Sequence, residues 1–451
     1  MQTDYLKTLS AAIPTDISGS VARTEGLAAS VADFPAPVGA MVEVRRQAGA
    51  PIRAEVVGFS DRHTIVLPYE EWTGVKRGDE VRLLRTGREI RVGNELLGRV
   101  INAHGEPIDG RPAPFLAQRA AIDAKPPEAM LRPRITDPLS TGIRAIDGLL
   151  TCGRGQRMGI FAGSGVGKSV TMGMMARYTS ADVNVIGLIG ERGREVKEFI
   201  ERDLGPEGLA RSVVVVATSD EPALLRVKSA FTATAVAEFF RDQGRDVLLM
   251  MDSVTRFAMA QREIGLAAGE PPTTKGYPPS VFAMLPRLVE RSGRSPVGTI
   301  TAFYSVLVEG DDVNEPVSDT VRGLIDGHCI LSRRLAGRGQ YPAIDVLGSI
   351  SRLLTDLVTP QTRDAIQLVR ELLSTYRENE DLITIGAYRQ GSNPLVDLSI
   401  AMQSEITNFL RQKVEQRTSV ADAQASLMKL AAQCAAARQP QPRPQPNLRA
   451  G

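Results

Sequence analysis

The run from Ala162 to Ser169 has the composition and spacing of a phosphate-binding loop. It reads Ala-Gly-Ser-Gly-Val-Gly-Lys-Ser and lies between an apolar stretch typical of a strand and a stretch typical of a helix. That context is the one the P-loop motif requires. Gly163, Gly165 and Gly167 allow successive backbone N–H groups to turn toward phosphate oxygens, and the N-terminus of the following helix adds positive potential.

The loop predicts the binding of a nucleoside triphosphate, with ATP as the expected nucleotide and Mg²⁺ as its metal ion. Lys168 would bridge the β- and γ-phosphates, and the Ser169 hydroxyl would bind Mg²⁺. Ala162 stands where the usual motif begins with glycine. The residues predicted to contact the nucleotide here are Gly163, Ser164, Gly165, Val166, Gly167, Lys168, Ser169 and Val170.

Asp252 is the second candidate site residue, because it ends the apolar run 247–251. An acid at the carboxyl end of a buried parallel strand faces the same crevice as a P-loop. We therefore expect Asp252 to contribute, with Ser169, to the Mg²⁺ shell.

A charged loop, Gly190-Glu191-Arg192-Gly193-Arg194-Glu195, follows another apolar stretch. P-loop hydrolases need a residue that orients the attacking water, and a carboxylate in this loop is suited to that role. Spacing alone leaves open whether Glu191 or Glu195 serves.

The elements that must position these residues fall into three regions. Residues from about 17 to 92 predict short strands separated by Gly, Pro and Asp, which indicates a small barrel or sandwich. After a proline-rich linker, apolar strands alternate with helices from residue 155, which indicates a parallel sheet covered on both faces. Helical periodicity dominates after Pro360, and Ser419, with Asp422 three residues further on, is the predicted cap of the last helix. The Gln-Pro-rich tail has a composition typical of disorder.

Composition excludes several classes of protein. The 451 residues carry 54 basic and 52 acidic side chains, a formal net charge of +2, which disfavours a protein that coats nucleic acid. Three widely separated cysteines do not form a disulfide framework. No apolar run approaches the ~18–20 residues that a membrane-spanning helix needs. We therefore expect a cytoplasmic protein with peripheral membrane contact at most.

Several longer strings resemble those of the flagellar and type III secretion export ATPases, which are related to the catalytic subunits of rotary ATP synthases. The likeness extends from about residue 20 to 435 and is greatest from 139 to 352. An alanine at position 162 is usual in that family. The strings that carry the resemblance are 161–169, 190–195, Lys-Gly-Tyr-Pro-Pro-Ser-Val-Phe at 275–282, Val-Glu-Gly-Asp-Asp at 308–312 and Tyr-Pro-Ala-Ile-Asp-Val-Leu-Gly-Ser-Ile-Ser-Arg at 341–352.

The resemblance implies roles for individual residues. Glu191 matches the family's catalytic glutamate, and Arg192 lies beside it near the phosphates. Tyr341 matches the aromatic residue that stacks on adenine. Arg352 matches an arginine finger that is offered to the ATP of a neighbouring subunit, so the resemblance implies a homohexamer. Glu191, Arg192 and Arg352 form the predicted catalytic set together with Lys168, whereas Tyr341 belongs to the predicted nucleotide-binding residues.

The resemblance also implies an α/β fold, in which a RecA-like P-loop parallel-sheet core follows an N-terminal β-barrel and precedes a C-terminal helical domain. The predicted division is a partner-binding segment 1–19, a barrel 20–95, an ATPase domain 96–360, a helical domain 361–438 and a tail 439–451. The resemblance further implies an ATP-hydrolysing motor that releases or unfolds export substrates and energises their secretion at an inner-membrane export apparatus. Its partners would be a stator-like regulator at the N-terminus, and a stalk protein, an export gate, chaperones and export substrates at the C-terminal face.

Two other functions remain open at this point. One is a ring-shaped RNA or DNA translocase of the termination-helicase type, which shares the core and a small N-terminal barrel. Sparse aromatics among residues 20–92 and the near-neutral charge argue against nucleic acid as a partner. The other is a subunit of a rotary ATP synthase, but the presence of both Glu191 and Arg352 in one chain favours a ring of a single chain type. Two strings, 261–266 and 269–272, favour flagellar over virulence-type export.

Overall fold

The computed structural model describes residues 17–308 and 315–438. Most of the predicted partner-binding segment 1–19 and the predicted disordered tail lie outside the described residues, as do residues 309–312 of the family-like strings.

Six antiparallel strands at the start of the described chain close into a barrel, in the order β1-β2-β5-β4-β3-β6, with β1 pairing back onto β6. Valines at alternating positions fill its interior, and Val31, Val42 and Val66 are fully buried. The barrel predicted from the short, turn-separated strands is confirmed. Its strands are β1 (Ser18–Glu25), β2 (Ala28–Ala32), β3 (Met41–Arg45), β4 (Ile52–Ser60), β5 (His63–Pro68) and β6 (Glu80–Arg85).

A mainly parallel sheet forms the centre of the molecule, in the order β19-β18-β12-β17-β15-β13-β14-β8. Five of its strands follow the predicted apolar runs and are buried almost throughout. Two flanking strands, β8 and β18, were not predicted because they are short and only weakly apolar. The remaining strands of the chain are β7 (Glu89–Val92), β8 (Arg99–Ile101), β9 (Gln118–Ala121), β10 (Pro138–Leu139), β11 (Cys152–Gly153), β12 (Arg157–Ala162), β13 (Val183–Glu191), β14 (Ser212–Thr218), β15 (Asp246–Asp252), β16 (Gly293–Arg294), β17 (Thr299–Leu307), β18 (Gly327–Leu331) and β19 (Ile350–Ser351).

Helices cover both faces of this sheet, as predicted. The helix that follows the 190–195 loop passes from an α-helix into a π-helical segment, Phe199–Leu204. That segment packs closely on Gly173, where an added Cβ would lie 2.6 Å from the Asp203 carbonyl oxygen. The α-helices of this domain are α1 (Arg144–Leu149), α2 (Lys168–Tyr178), α3 (Gly193–Glu198), α4 (Gly205–Ala210), α5 (Ala223–Arg241), α6 (Val254–Ala267), α7 (Pro279–Val289), α8 (Pro316–Leu324), α9 (Arg333–Gly337) and α10 (Leu354–Leu357).

Three helices, α11 (Pro360–Thr384), α12 (Pro394–Leu410) and α13 (Val420–Arg438), form the C-terminal domain. Their predicted apolar faces are buried against one another and against the sheet domain, with Val369 and Ile406 fully buried. The predicted cap of the last helix is confirmed, since the Asp422 N–H donates to the Ser419 hydroxyl at 3.1 Å. The predicted α/β fold with an N-terminal barrel and a C-terminal helical domain is therefore confirmed.

A buried polar network joins the barrel to helix α5. The Tyr69 hydroxyl donates to Glu55 at 2.5 Å, and Arg88 pairs with the same carboxylate at 2.7 Å. The Lys228 ammonium lies 3.3 Å from the Tyr69 hydroxyl and 3.0 Å from His104 Nδ1. Burial lowers the pKa of Lys228 to about 8 and that of His104 to about 4. The network fixes the barrel on the sheet domain by directional contacts.

Replacing Tyr69 by phenylalanine should destabilise this junction. The change removes one donor from a carboxylate that is almost fully buried, and the cost of an unmet buried hydrogen bond is about 1–3 kcal/mol. We expect a lower thermal unfolding midpoint, measured by calorimetry. Tyr376→Phe is the matched control, because within the described residues the Tyr376 hydroxyl makes no hydrogen bond. Equal midpoints for the two variants would contradict the role of the network.

Candidate active site

The P-loop joins the carboxyl end of β12 to helix α2. Gly165 and Gly167 adopt left-handed conformations, with φ of 78° and 85°, which favour glycine. Ala162 is still part of β12, where it pairs with Leu307 and Leu331. The first position of the motif is therefore an extended strand residue, and a small alanine meets its requirements.

Lys168 and Asp252 are brought together at the carboxyl edge of the sheet. The Lys168 ammonium pairs with Asp252 Oδ1, and the Ser305 hydroxyl donates to the same oxygen at 3.0 Å. Asp252 is 4% exposed at the end of β15. The two residues lie far apart in sequence. They meet because β12, which leads into the P-loop, and β15, which ends at Asp252, both pair with β17 in the parallel sheet that the strand pattern predicted.

Glu191 ends β13 at the same edge. Burial raises the pKa of its carboxyl group to about 7; the nearby charge of Asp252 raises it further, while Lys168 and Arg256 oppose the shift. Arg256 Nε lies 3.2 Å from Glu191 Oε1. The structure thus gathers Glu191, Lys168 and Asp252 into one electrostatic cluster.

Arg256 was missed by the sequence analysis. It lies in the first turns of α6, and its side chain packs on Gly190, where an added Cβ would lie 2.9 Å from Arg256 Cδ. Gly190 has a φ of 70°. In the sequence, Gly190 directly before Glu191 indicates that another side chain packs closely there, but it does not identify that side chain as Arg256.

The other charged residues of the 190–195 loop face solvent. The Arg192 side chain is 76% exposed and the Glu195 side chain 48% exposed, and they pair with each other at 3.4 Å. The Glu191 side chain, in contrast, is only 12% exposed. Of the two glutamates that spacing left open, only Glu191 lies in the cluster with Lys168. Arg192 occupies the rim.

Tyr341 lies against the P-loop. Its ring is close enough to Gly167 that an added Cβ there would be 3.5 Å from the ring edge. Tyr341 is 46% exposed, so one side of the ring remains accessible. An exposed aromatic ring next to a phosphate loop is suited to stacking on a base.

Arg352 is not brought to this cluster. Its N–H donates to the Asp326 carbonyl at 2.9 Å, and Asp326 in turn donates to the Arg157 carbonyl. Arg352 therefore lies near Arg157, at the beginning of β12. The P-loop follows the other end of the same strand, at Ala162. At ~3.3 Å per residue the two ends of the strand are about 16 Å apart.

The donors present fit a magnesium ion. Asp252 offers a buried carboxylate and Ser169 an exposed hydroxyl on the first turn of α2, and oxygen ligands supplemented by water and phosphate are what Mg²⁺ prefers. Within residues 17–308 and 315–438, no group of three or more His, Cys, Asp or Glu side chains forms a metal site by itself. In the same ranges no helix has the length and apolarity needed to cross a membrane.

Family models match all three regions of the chain. The ATP synthase alpha/beta family matches with its β-barrel domain at residues 26–85 and its nucleotide-binding domain at 142–351. The C-terminal domain of the type III secretion ATPase EscN matches residues 358–429.

Known proteins match over nearly the whole chain. A flagellum-specific ATP synthase of Bacillus subtilis is 53% identical over 414 residues, covering 92% of this chain and 93% of that protein. A type 3 secretion system ATPase of Xanthomonas euvesicatoria is 52% identical, covering 88% and 90%. The structure of assembled EscN from enteropathogenic E. coli superposes with a TM-score of 0.87 at 45% identity, covering 92% of this chain and all of that one. This chain therefore belongs to the family of flagellum-specific ATP synthases and type 3 secretion system ATPases.

Proposed function

We propose that this chain is the ATP-hydrolysing motor of a flagellar or type III protein export apparatus and that it works as a homohexamer. The observation that carries the proposal is the division of one catalytic set between two edges of the sheet. Lys168, Glu191 and Asp252 share one edge, and Arg352 lies at the other. The family supports the export role.

ATP would bind with its phosphates on the N–H groups of the P-loop. Lys168 would exchange its contact with Asp252 for the β- and γ-phosphates. Ser169 and Asp252 would hold Mg²⁺, which when bound neutralises phosphate charge. Tyr341 would stack on the adenine, since its exposed ring adjoins Gly167.

Glu191 would orient the water that attacks the γ-phosphate. Its burial beside Lys168 keeps it close to the phosphate position, and the raised pKa makes its carboxylate more basic than that of an ordinary glutamate. Arg256 would hold the carboxylate in one orientation from 3.2 Å away. Arg192 would contact the phosphates from the rim.

Arg352 would act on the ATP of a neighbouring subunit. A side chain on the far edge of the sheet cannot reach its own P-loop, but a head-to-tail ring brings unlike edges together. The solved structure of assembled EscN supports such a ring. An arginine finger stabilises charge on the transferring phosphoryl group.

The remaining partners are proposed from the relatives. EscN has also been solved in complex with its central stalk EscO, with a TM-score of 0.85 and 44% identity to this chain, so we propose a stalk protein at the C-terminal face. We further propose an export gate, chaperones and substrates there, a stator-like regulator at residues 1–19, and a cytoplasmic position at the inner membrane.

Nucleic-acid translocation and rotary synthesis are not favoured. Flagellar and virulence-type relatives are equally similar, at 53% and 52% identity.

Mixed rings test the shared site. Glu191→Gln should lower ATP turnover at least about 100-fold by removing the water-orienting carboxylate, and Arg352→Ala should lower it about 10³-fold or more. Co-expression of the two variants should restore activity, because about a quarter of the interfaces then combine an intact Glu191 with an intact Arg352. Turnover is measured by phosphate release.

Co-expression of Glu191→Gln with Lys168→Ala is the control, because both changes lie on the same side of every interface and no intact site can form. Full activity of Arg352→Ala alone, or the absence of rescue in stable mixed rings, would contradict a site shared between subunits. Normal turnover by Glu191→Gln would remove Glu191 from the catalytic set.

Arg256→Ala tests the positioning of Glu191. Loss of the guanidinium frees the carboxylate to rotate, and misplacement by about 1 Å can cost up to ~100-fold in rate, so we expect turnover to fall about 10- to 100-fold with little change in ATP affinity. Arg194→Ala is the matched control, since that side chain is 87% exposed and pairs with Glu198. Equal turnover of the two variants would contradict the role of Arg256.

A further inference from the structure

Gln412 lies just after helix α12, where the C-terminal domain meets the sheet domain, and its side chain joins the two. It is 6% exposed. Its Oε1 accepts from the Arg144 N–H at 2.7 Å, and its Nε2 donates to the carbonyls of Gly142 at 2.8 Å and Gln416 at 2.6 Å. Both amide hydrogens are therefore used in fixing the backbone around Gln412.

The backbone of Gln412 reaches the proposed base site. Its N–H donates to the Tyr341 carbonyl at 3.0 Å, and the Tyr341 ring lies against Gly167. The side chain of Gln412 thus anchors the peptide group that holds Tyr341. One residue connects the loop before α1, the end of α12 and the aromatic ring beside the P-loop.

The same corner clamps the end of α12 to the sheet domain. Arg144 Nε donates to the Phe409 carbonyl at 2.7 Å and its Nη2 to the Asn408 carbonyl at 3.1 Å. Its guanidinium also lies 5.6 Å from the centre of the Phe409 ring. A cation that binds the last carbonyls of a helix fixes that end. A displacement of α12 would therefore be transmitted to Gln412.

We propose that Gln412 is a positioning residue for the nucleotide base, which it serves by holding Tyr341 in place, and that it thereby couples the C-terminal helical domain to nucleotide affinity. The inference rests on the proposed stacking role of Tyr341. Within the described residues the hydrogen bonds of Gln412 go to neither the P-loop nor the catalytic cluster, so it acts through Tyr341.

Gln412→Leu removes the amide at nearly constant volume. It leaves the Arg144 N–H and the Gly142 carbonyl without their side-chain partner, so we expect the KM for ATP to rise about tenfold. The kcat should stay within about twofold, because Glu191, Lys168 and Arg352 are unchanged. Gln403→Leu is the matched control on α12: its buried Oε1 has no hydrogen-bond partner in the described chain, and its KM should be normal.

A double-mutant cycle with Tyr341→Ala separates positioning from a general structural effect. Tyr341→Ala should raise the KM, and adding Gln412→Leu should then change it less than about twofold. An equal tenfold rise in both backgrounds, or a loss of kcat instead of affinity, would overturn the inference. If Tyr341→Ala leaves the KM unchanged, the proposed stacking role itself fails, which is a different outcome from an additive cycle.

Gln412→Glu carries the same cycle if the leucine variant does not fold. A carboxylate keeps an acceptor for the Arg144 N–H but cannot donate to the Gly142 and Gln416 carbonyls. We expect a raised KM that again disappears in the Tyr341→Ala background. A KM equal to that of the unmodified protein would overturn the inference.

Discussion

The buried ion pair between Lys168 and Asp252 is the contact around which the active site is organised. Removing two charges from water is costly, and such a pair often stabilises a fold less than apolar packing would. Here Asp252 ends a parallel strand and Lys168 begins the helix that follows the P-loop, with Ser305 as a further hydrogen-bond donor to Asp252. The arrangement is explained by function, because each member of the pair has a second partner in the proposed nucleotide complex.

The same pair sets the electrostatic environment of Glu191. Asp252 adds to the burial that raises its pKa, while Lys168 and Arg256 moderate the effect. Two of these neighbours, Lys168 and Asp252, themselves bind phosphate and metal in the proposed complex. Binding of ATP would redistribute those charges around Glu191, so nucleotide binding and the basicity of the proposed water-orienting group are physically linked.

Most of the fold could be predicted from the sequence because the patterns that indicate its strands and helices lie within short stretches of the chain. The buried strands of the central sheet are continuous apolar runs, the barrel strands are separated by turn residues, and the Ser419–Asp422 cap is a short motif. The P-loop and Asp252 were also accessible, because each has a required position relative to a strand. Short strands such as Gly327–Leu331 were not, since tertiary pairing rather than composition holds them in the sheet.

The residues that the sequence could not reveal by themselves depend on contacts between distant segments. Arg256 contacts Glu191 only because α6 begins beside the loop that follows β13, and Gln412 reaches Tyr341 across a domain boundary. Arg352 is the extreme case, because its proposed target lies in another subunit and only the resemblance to the family identified it.

The position of Arg352 also explains why three domains are needed around one site. If each P-loop is completed by the far edge of a neighbour's sheet, hydrolysis depends on how closely adjacent subunits approach. The barrel is fixed to the sheet domain through Glu55, Tyr69 and Lys228, so a ring of barrels would hold the sheet domains at a set spacing. The C-terminal helices are connected to Tyr341 through Gln412. In the proposed ring, one end of the subunit would constrain the interface while the other contacts the proposed base site. A motor needs such an arrangement if force at its C-terminal face is to depend on the nucleotide.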